Sequence, residues 1–392
     1  MLEIHEPADT DREAIALINS LAFNFNARAE DISLDGALCA FEGTKLVGAS
    51  QAIALGQWFG GARVPCAGVS SVAVLPEHRG RGVASTLMRQ LLEHQRRQGD
   101  AVSALYPANS QLYRHLGYEF AGLRPEFRAQ VTDLPPAKGE VVELAENDIG
   151  TVMACFSEFA SNHNGPVESR DPVRWAYHVL AHKGEGTLQR TAVVPGPGGL
   201  GGYASYFMES GPFGGFRVTC KHLVALNPPA LRALLGYFRR FENAASELAW
   251  FGPPGAGPFG FALASSGFSI VPTMRRWMGR ILDVPSALEL RGYPPEVAGS
   301  LVIRVDDALF PANEGPWELH VANGRMAVAP ASGPHNGRSQ APLPVGLLSA
   351  LYTGLAAPHD LVVMGALDRD DPRLGLLSAL FYGPVPWMPD FF

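Results

Sequence analysis

The run Val72-Ala-Val-Leu-Pro-Glu-His-Arg-Gly-Arg-Gly-Val-Ala84 joins an apolar strand to a helix through a turn made of arginine and glycine. Pro76 has no backbone N–H and stops the strand. Gly80 and Gly82 admit positive φ, which lets several amides converge where the helix begins. That helix N-terminus carries about half a positive charge, and Arg79 and Arg81 add forked donors, so the turn is a seat for pyrophosphate oxygens. From there Val83, Leu87, Met88, Leu91 and Leu92 fall on one helical face until Gly99 ends the helix. A Walker A loop is excluded because no Gly-Lys-Ser/Thr follows the glycines. A Rossmann turn lacks its G-x-G-x-x-G and its β-α-β start.

Upstream, Leu2 to His5 reads as a strand, and an acid-rich turn (Asp9, Asp11) opens a helix with Ile15, Leu17, Ile18 and Leu21 at helical spacing. Ala37 to Phe41 and Lys45 to Ala54 read as strands joined by a hairpin at Glu42-Gly43-Thr44, and a third strand runs from Arg63 to Leu75. Downstream come a strand (Ala101 to Tyr106), a short helix (Asn109 to Leu116) and a strand (Tyr118 to Phe127). The stretch Thr132-Asp-Leu-Pro-Pro-Ala-Lys-Gly139 then marks a domain boundary.

After it the order repeats in degenerate form: a helix (Ile149 to Phe159), strands (Arg190 to Val194, Tyr203 to Glu209, Val218 to Leu226) and a helix (Ala230 to Phe241). A further change near Leu282 to Ser286 opens a last unit with a helix (Pro285 to Leu290), strands near Leu301 to Val305 and Trp317 to Val321, and late helices. The expected fold is therefore α/β (α+β), with domains at 1–131, 140–284 and 285–392. A chain of 392 residues suits such a division, since single cores rarely exceed about 250 to 300 residues.

Hydrophobic residues make up 47% and charged residues 18%, a globular composition. The net charge of −7 provides no broad basic field, so nucleic acid is not an expected partner. Cys39, Cys66, Cys155 and Cys220 are scattered without a C-x-x-C pair, which argues against a disulfide framework and a zinc site. Cys220 and His222 share a strand, but no third ligand follows at usable spacing. The N-terminus has no signal-peptide core and no uncharged stretch spans a membrane. A cytoplasmic protein without membrane partners or bound metal is expected.

The pattern Arg79-x-x-Gly82-x-Ala84 matches the Q/R-x-x-G-x-G/A signature of the GNAT superfamily and resembles its acetyl-CoA pyrophosphate loop, over roughly residues 1 to 130. The resemblance implies acetyl-CoA as co-substrate. It would be held by Arg79, Gly80, Arg81, Gly82, Val83 and Ala84, and by the backbone of Val72, Ala73 and Val74, which would pair with the pantetheine amides and polarise the thioester. Asn109 lies where the family's short helix nears the cofactor, and is equally suited to cap that helix.

The whole chain is similar to the enhanced intracellular survival (Eis) acetyltransferases, in which a catalytic GNAT domain precedes a degenerate GNAT-like domain and a sterol-carrier-protein-like domain. Leu112-Tyr-Arg-His-Leu-Gly-Tyr118, Val284-Pro-Ser-Ala-Leu-Glu-Leu-Arg-Gly-Tyr293, Leu348 to Gly354 and the ending Pro389-Asp-Phe-Phe392 carry the resemblance. The second unit has Leu226-Asn-Pro-Pro-Ala230 where the cofactor turn would lie, with neither glycines nor an arginine fork.

By that resemblance Tyr113 is the general acid toward the departing thiolate and the terminal carboxylate, here on Phe392, the general base. The acceptor would be a primary amine (an aminoglycoside, a polyamine or a lysine-like amine), and the assembly a homo-oligomer, often a hexamer. A phenol is protonated at neutral pH and suits the acid role, whereas an α-carboxylate is a weak base that needs desolvation or a water relay. Trp387-Met-Pro-Asp-Phe-Phe392 is too aromatic for a frayed end and should dock on protein, within its own domain or at the first domain's site. Two positions depart from the family: Asn24-Phe25-Asn26 falls where an acid is expected, and Ser71 where an aromatic is. Glu30 and Asp31 are the nearby acids able to attract an amine. The competing reading is a non-catalytic acyl-CoA sensor or a lipid binder using the last domain.

Overall fold

The computed structural model describes residues 2–145, 148–171, 175, 183–184, 187–211, 215–263, 269–270, 275–331 and 342–392. The first domain opens with β1 (Leu2–His5) and α1 (Arg12–Phe23), followed by β2 (Ala37–Glu42), β3 (Lys45–Phe59) and β4 (Ala62–Val74). Then come α2 (Val83–Arg97), β5 (Val102–Leu105), α3 (Ser110–Arg114), β6 (Glu119–Arg124) and β7 (Glu126–Gln130). The β2–β3 hairpin turns at Gly43, whose φ of 63° suits glycine, and β3 and β4 form a long antiparallel pair. α2 buries Leu87, Met88, Leu91 and Leu92 against one face of the sheet, while Ile15 and Ile18 of α1 pack against the other. α2 thereby removes its apolar stripe from water, whereas on α1 Leu17 and Leu21, at helical spacing with Ile15 and Ile18, stay exposed.

Sheet membership crosses the division expected between residues 131 and 140. The strand Arg275–Ile281 pairs antiparallel with both β5 and β6, completing the first sheet from late in the chain. β7 instead pairs with the strands Ala245–Phe251 and Ser269–Ile270 in the second sheet. The single strand expected from Tyr118 to Phe127 is split at Pro125, so that β6 and β7 serve different sheets. A strand's apolar pattern shows which faces are buried and leaves its neighbour unspecified.

The second sheet carries the helices Ile149–Ala160 and Pro228–Arg239. The third domain is a four-stranded sheet with the helices Val345–Thr353, Pro358–Val363 and Leu374–Phe381. It is tied to the first through Arg280, which is fully buried. Its Nη2 donates to both oxygens of Asp307 at 2.7 and 2.9 Å, and its Nη1 to the Leu116 carbonyl. Pairing and hydrogen bonds are what allow such a charge to be buried. No described helix is long and apolar enough to cross a membrane.

Candidate active site

β4 and β5 run parallel but pair only at Cys66–Gly68 with Val102–Ala104. Beyond Gly68 the described strands part, leaving the edge of β4 from Val69 to Val74 with backbone groups that need partners from elsewhere. A bulge sharpens the parting. Between Ser70 and Ala73, β4 has one residue more than β3, and Ser71 takes φ of 55°, a left-handed conformation that costs a non-glycine residue about 1 to 3 kcal/mol. Strain of this kind concentrates at functional sites.

Past the end of β4 the arginine–glycine turn stands as its sequence implied. Gly80 and Gly82 have φ of 75° and 80°, and open space lies where a Cβ would be on each. Gly82 precedes α2, whose N-terminus receives no side-chain cap, so its first amides remain available. Arg79 and Arg81 are exposed; Arg79 Nε donates to the Val74 carbonyl at 3.0 Å, which folds that side chain back over the end of β4. Two arginines, open glycines and uncapped amides are a donor set fitted to pyrophosphate oxygens. Asn109 is otherwise engaged: it caps α3, its Oδ1 accepting from Gln111 N at 3.1 Å and Leu112 N at 3.5 Å.

Tyr113 is buried on the α2 face of the sheet, in the cluster that includes Ala67, Val69 and Leu105. Its ring meets Tyr118 edge-on at 5.9 Å, and its hydroxyl makes no hydrogen bond among the described residues. Burial pushes its phenol up to about 12. Tyr118 has a structural part, with its hydroxyl 2.6 Å from Ser103 Oγ.

The terminal segment comes back to the first domain. Leu123 N donates to the Pro386 carbonyl and Met388 N to the Leu123 carbonyl, laying Trp387 beside β6. Phe392 then packs against Tyr106 (centroids 6.0 Å) and Gly68. A Cβ on Gly68 would lie 3.1 Å from the Phe392 ring and 2.5 Å from Leu55, so glycine makes the approach possible. Phe392 belongs to the cluster with Leu55, Cys66 and Ala104. Alternate strand residues face opposite sides of a sheet: Cys66 and Ala104 share a cluster with Phe392, and Ala67, Val69 and Leu105 one with Tyr113, so the two residues lie on opposite faces of the sheet.

Other candidate residues are engaged elsewhere. Glu30 and Asp31 form ion pairs with Arg28 at 3.1 and 2.8 Å, and Asn24 ends α1 in a left-handed conformation. All four cysteines are free and buried. Among the described residues no group of three or more His, Cys, Asp or Glu is placed to hold a metal. His222 lies on the strand Phe216–Ala225, as its sequence implied, and also contacts Asp390 of the terminal segment. A lone histidine in a strand carries no local signal of such a long-range partner.

A sheet that opens beside an arginine–glycine helix turn defines a GNAT-type acyltransferase domain, and comparison with known proteins agrees. Residues 3–121 and 167–281 match acetyltransferase (GNAT) domain models, and residues 284–389 match the sterol carrier protein domain. An uncharacterized N-acetyltransferase of Streptomyces coelicolor is 28% identical over 349 residues, covering 85% of this chain and 82% of the relative. N-acetyltransferase Eis of Mycobacterium tuberculosis is 25% identical over 360 residues, covering 82% and 79%. The crystal structure of a GCN5-related N-acetyltransferase from Anabaena variabilis superposes with a TM-score of 0.90 at 25% identity, with each chain covered completely. Eis1 from Mycobacterium abscessus shares the fold, with a TM-score of 0.76 at 22% identity over the full length of both chains. The chain is a GNAT-type N-acetyltransferase that is similar to the Eis-like enzymes over most of its length. GNAT acetyltransferases use acetyl-CoA as co-substrate.

Proposed function

We propose that the first domain transfers the acetyl group of acetyl-CoA directly to a primary amine, with Tyr113 as general acid and the Phe392 carboxylate as general base. The observation that supports this reading is that Phe392 packs at Gly68, where β4 and β5 part, while Tyr113 lies on the opposite face of the same sheet. Acyl transfer uses two such groups, a base near the attacking nitrogen and an acid near the departing sulfur. Arg79, Arg81 and the amides at Gly80, Gly82, Val83 and Ala84 would hold the pyrophosphate, and the open edge of β4 at Val72, Ala73 and Val74 the pantetheine arm. Those β4 amides would also polarise the thioester carbonyl.

In the transfer a C–N bond forms as the C–S bond breaks. The Tyr113 proton passes to sulfur, and the proton of the attacking nitrogen passes to the Phe392 carboxylate, directly or through water. Aminoglycosides, polyamines and lysine-like amines are the acceptor classes to test, and a homo-oligomer the expected assembly. Consumption of acetyl-CoA with a panel of such amines tests the proposal. Binding of acetyl-CoA without turnover on any of them would leave the domain a sensor.

A further inference from the structure

The second domain has no arginine–glycine turn, yet it grips the terminal segment. His222, on the strand Phe216–Ala225, is buried, with its ring stacked on Phe156 at 5.0 Å and 17°. Its Nδ1 lies 2.8 Å from the Tyr203 hydroxyl and its Nε2 3.0 Å from Asp390 Oδ1. An ionised carboxylate only accepts, so Nε2 carries a proton and donates to Asp390; in the neutral ring the Tyr203 O–H donates to Nδ1. The tautomer therefore follows from the network.

The first domain holds Asp390 and its neighbour Pro389 by their backbone. The Tyr106 hydroxyl donates to the Asp390 carbonyl at 2.8 Å, and Arg124 Nε donates to the Pro389 carbonyl at 2.7 Å. Asp390 is thus fixed from two domains, and Phe392, two residues on, packs where β4 and β5 part. Backbone contacts alone fix where the segment lies. The His222 contact additionally fixes its rotation, because it engages a side chain.

We propose that His222, oriented by Tyr203, is a positioning residue for acetyl transfer: by holding Asp390 it sets the direction of the last residues of the chain at the opening in the first domain's sheet. The degenerate second domain then takes part in the reaction as the holder of the tail. This rests on the reading that Phe392 acts at that opening.

Three single variants and the double variant His222→Phe/Asp390→Ala test it, each with kcat, the KM values for acetyl-CoA and amine, and thermal melting. His222→Phe keeps a ring to stack on Phe156 and removes both hydrogen bonds. Asp390→Ala removes the acceptor, whereas Asp390→Asn leaves an oxygen for the Nε2–H. The expected result is a kcat about tenfold or more lower in His222→Phe and Asp390→Ala, since misplacement by about 1 Å costs up to about 10²-fold. KM for acetyl-CoA should stay within about twofold. The double variant should be no slower than either single one, because both changes break one contact, and Asp390→Asn should recover most of the loss.

Unchanged kcat in folded His222→Phe and Asp390→Ala proteins would overturn the proposal. So would a loss equal in Asp390→Asn and Asp390→Ala that follows a fall in melting temperature. Should His222→Phe fail to fold, the Asp390 pair decides alone. A chain extended beyond Phe392 separates the two readings. Full turnover of the extended protein defeats the role of Phe392 and the proposal with it. An inactive extended protein beside fully active His222→Phe and Asp390→Ala variants defeats the positioning role alone.

Discussion

Arg79 and Arg81 stand exposed beside a helix start whose amides lack a side-chain cap, a placement that wastes donors unless an anion arrives. Replacing either by alanine should weaken acetyl-CoA binding about tenfold or more, the loss of one charge-assisted contact. Calorimetric titration measures this, and unchanged affinity in both variants would remove the turn from cofactor binding. Tyr113 presents the opposite situation, a buried phenol pushed up to about 12 by desolvation. Its proton stays on through neutral pH, as a general acid requires, and the raised value means that this proton is lost only far into the alkaline range. Tyr113→Phe keeps the ring and should lower kcat about 10² to 10⁴-fold with acetyl-CoA affinity near that of the parent protein. A kcat within a few-fold of the parent's in steady-state kinetics would take Tyr113 out of the mechanism. If Tyr113 is the acid, the kcat–pH profile of the parent protein should show no limb from phenol ionisation below about pH 10.

At the scale of elements, the strand Arg275–Ile281 makes the first sheet dependent on the second half of the chain. It lies between β5 and β6 and contributes Trp277 and Met278, both fully buried. A fragment of residues 1–131 would lack that strand and would carry β7 without its partner Ala245–Phe251. Such a fragment should not fold to a native state; dispersed amide NMR signals and a cooperative melt from it would show that the exchanged strand is dispensable. The sequence made α2, the β2–β3 hairpin and the arginine–glycine turn legible because each rests on local rules: apolar spacing, a two-residue turn, glycines at a helix start. The strand exchange was hidden because period-two burial does not name a neighbour, and only Pro125 hinted at a break. The bulge at Ser71 escaped notice because its left-handed φ falls on a serine, which carries none of glycine's signal. His222 escaped for a related reason, since its partner Asp390 lies 168 residues away in sequence.

On the scale of the whole molecule, the terminal segment is the element that touches all the parts. It follows the third domain's last helix, runs beside β6, meets His222 of the second domain and brings Phe392 against Gly68 and Tyr106 of the first. If the Phe392 carboxylate is the base, a few residues appended after it would displace the charge without altering any side chain already docked. Trp387 and Met388 are buried and hydrogen-bonded to Asn164 and Leu123, so the segment's anchorage lies upstream of the change. Turnover should therefore fall by about 10² or more, the scale of a lost general base, while the melting temperature and acetyl-CoA affinity stay close to those of the parent protein. Deleting Phe391 and Phe392 makes a poorer test, because it also removes the ring packed on Tyr106 and leaves an open apolar surface. Turnover, melting and acetyl-CoA titration measured together on the extended protein decide the matter. An extended protein that keeps full turnover and a normal melt places the base elsewhere. Glu30 and Asp31, each in an ion pair with Arg28, would then be the carboxylates to test next.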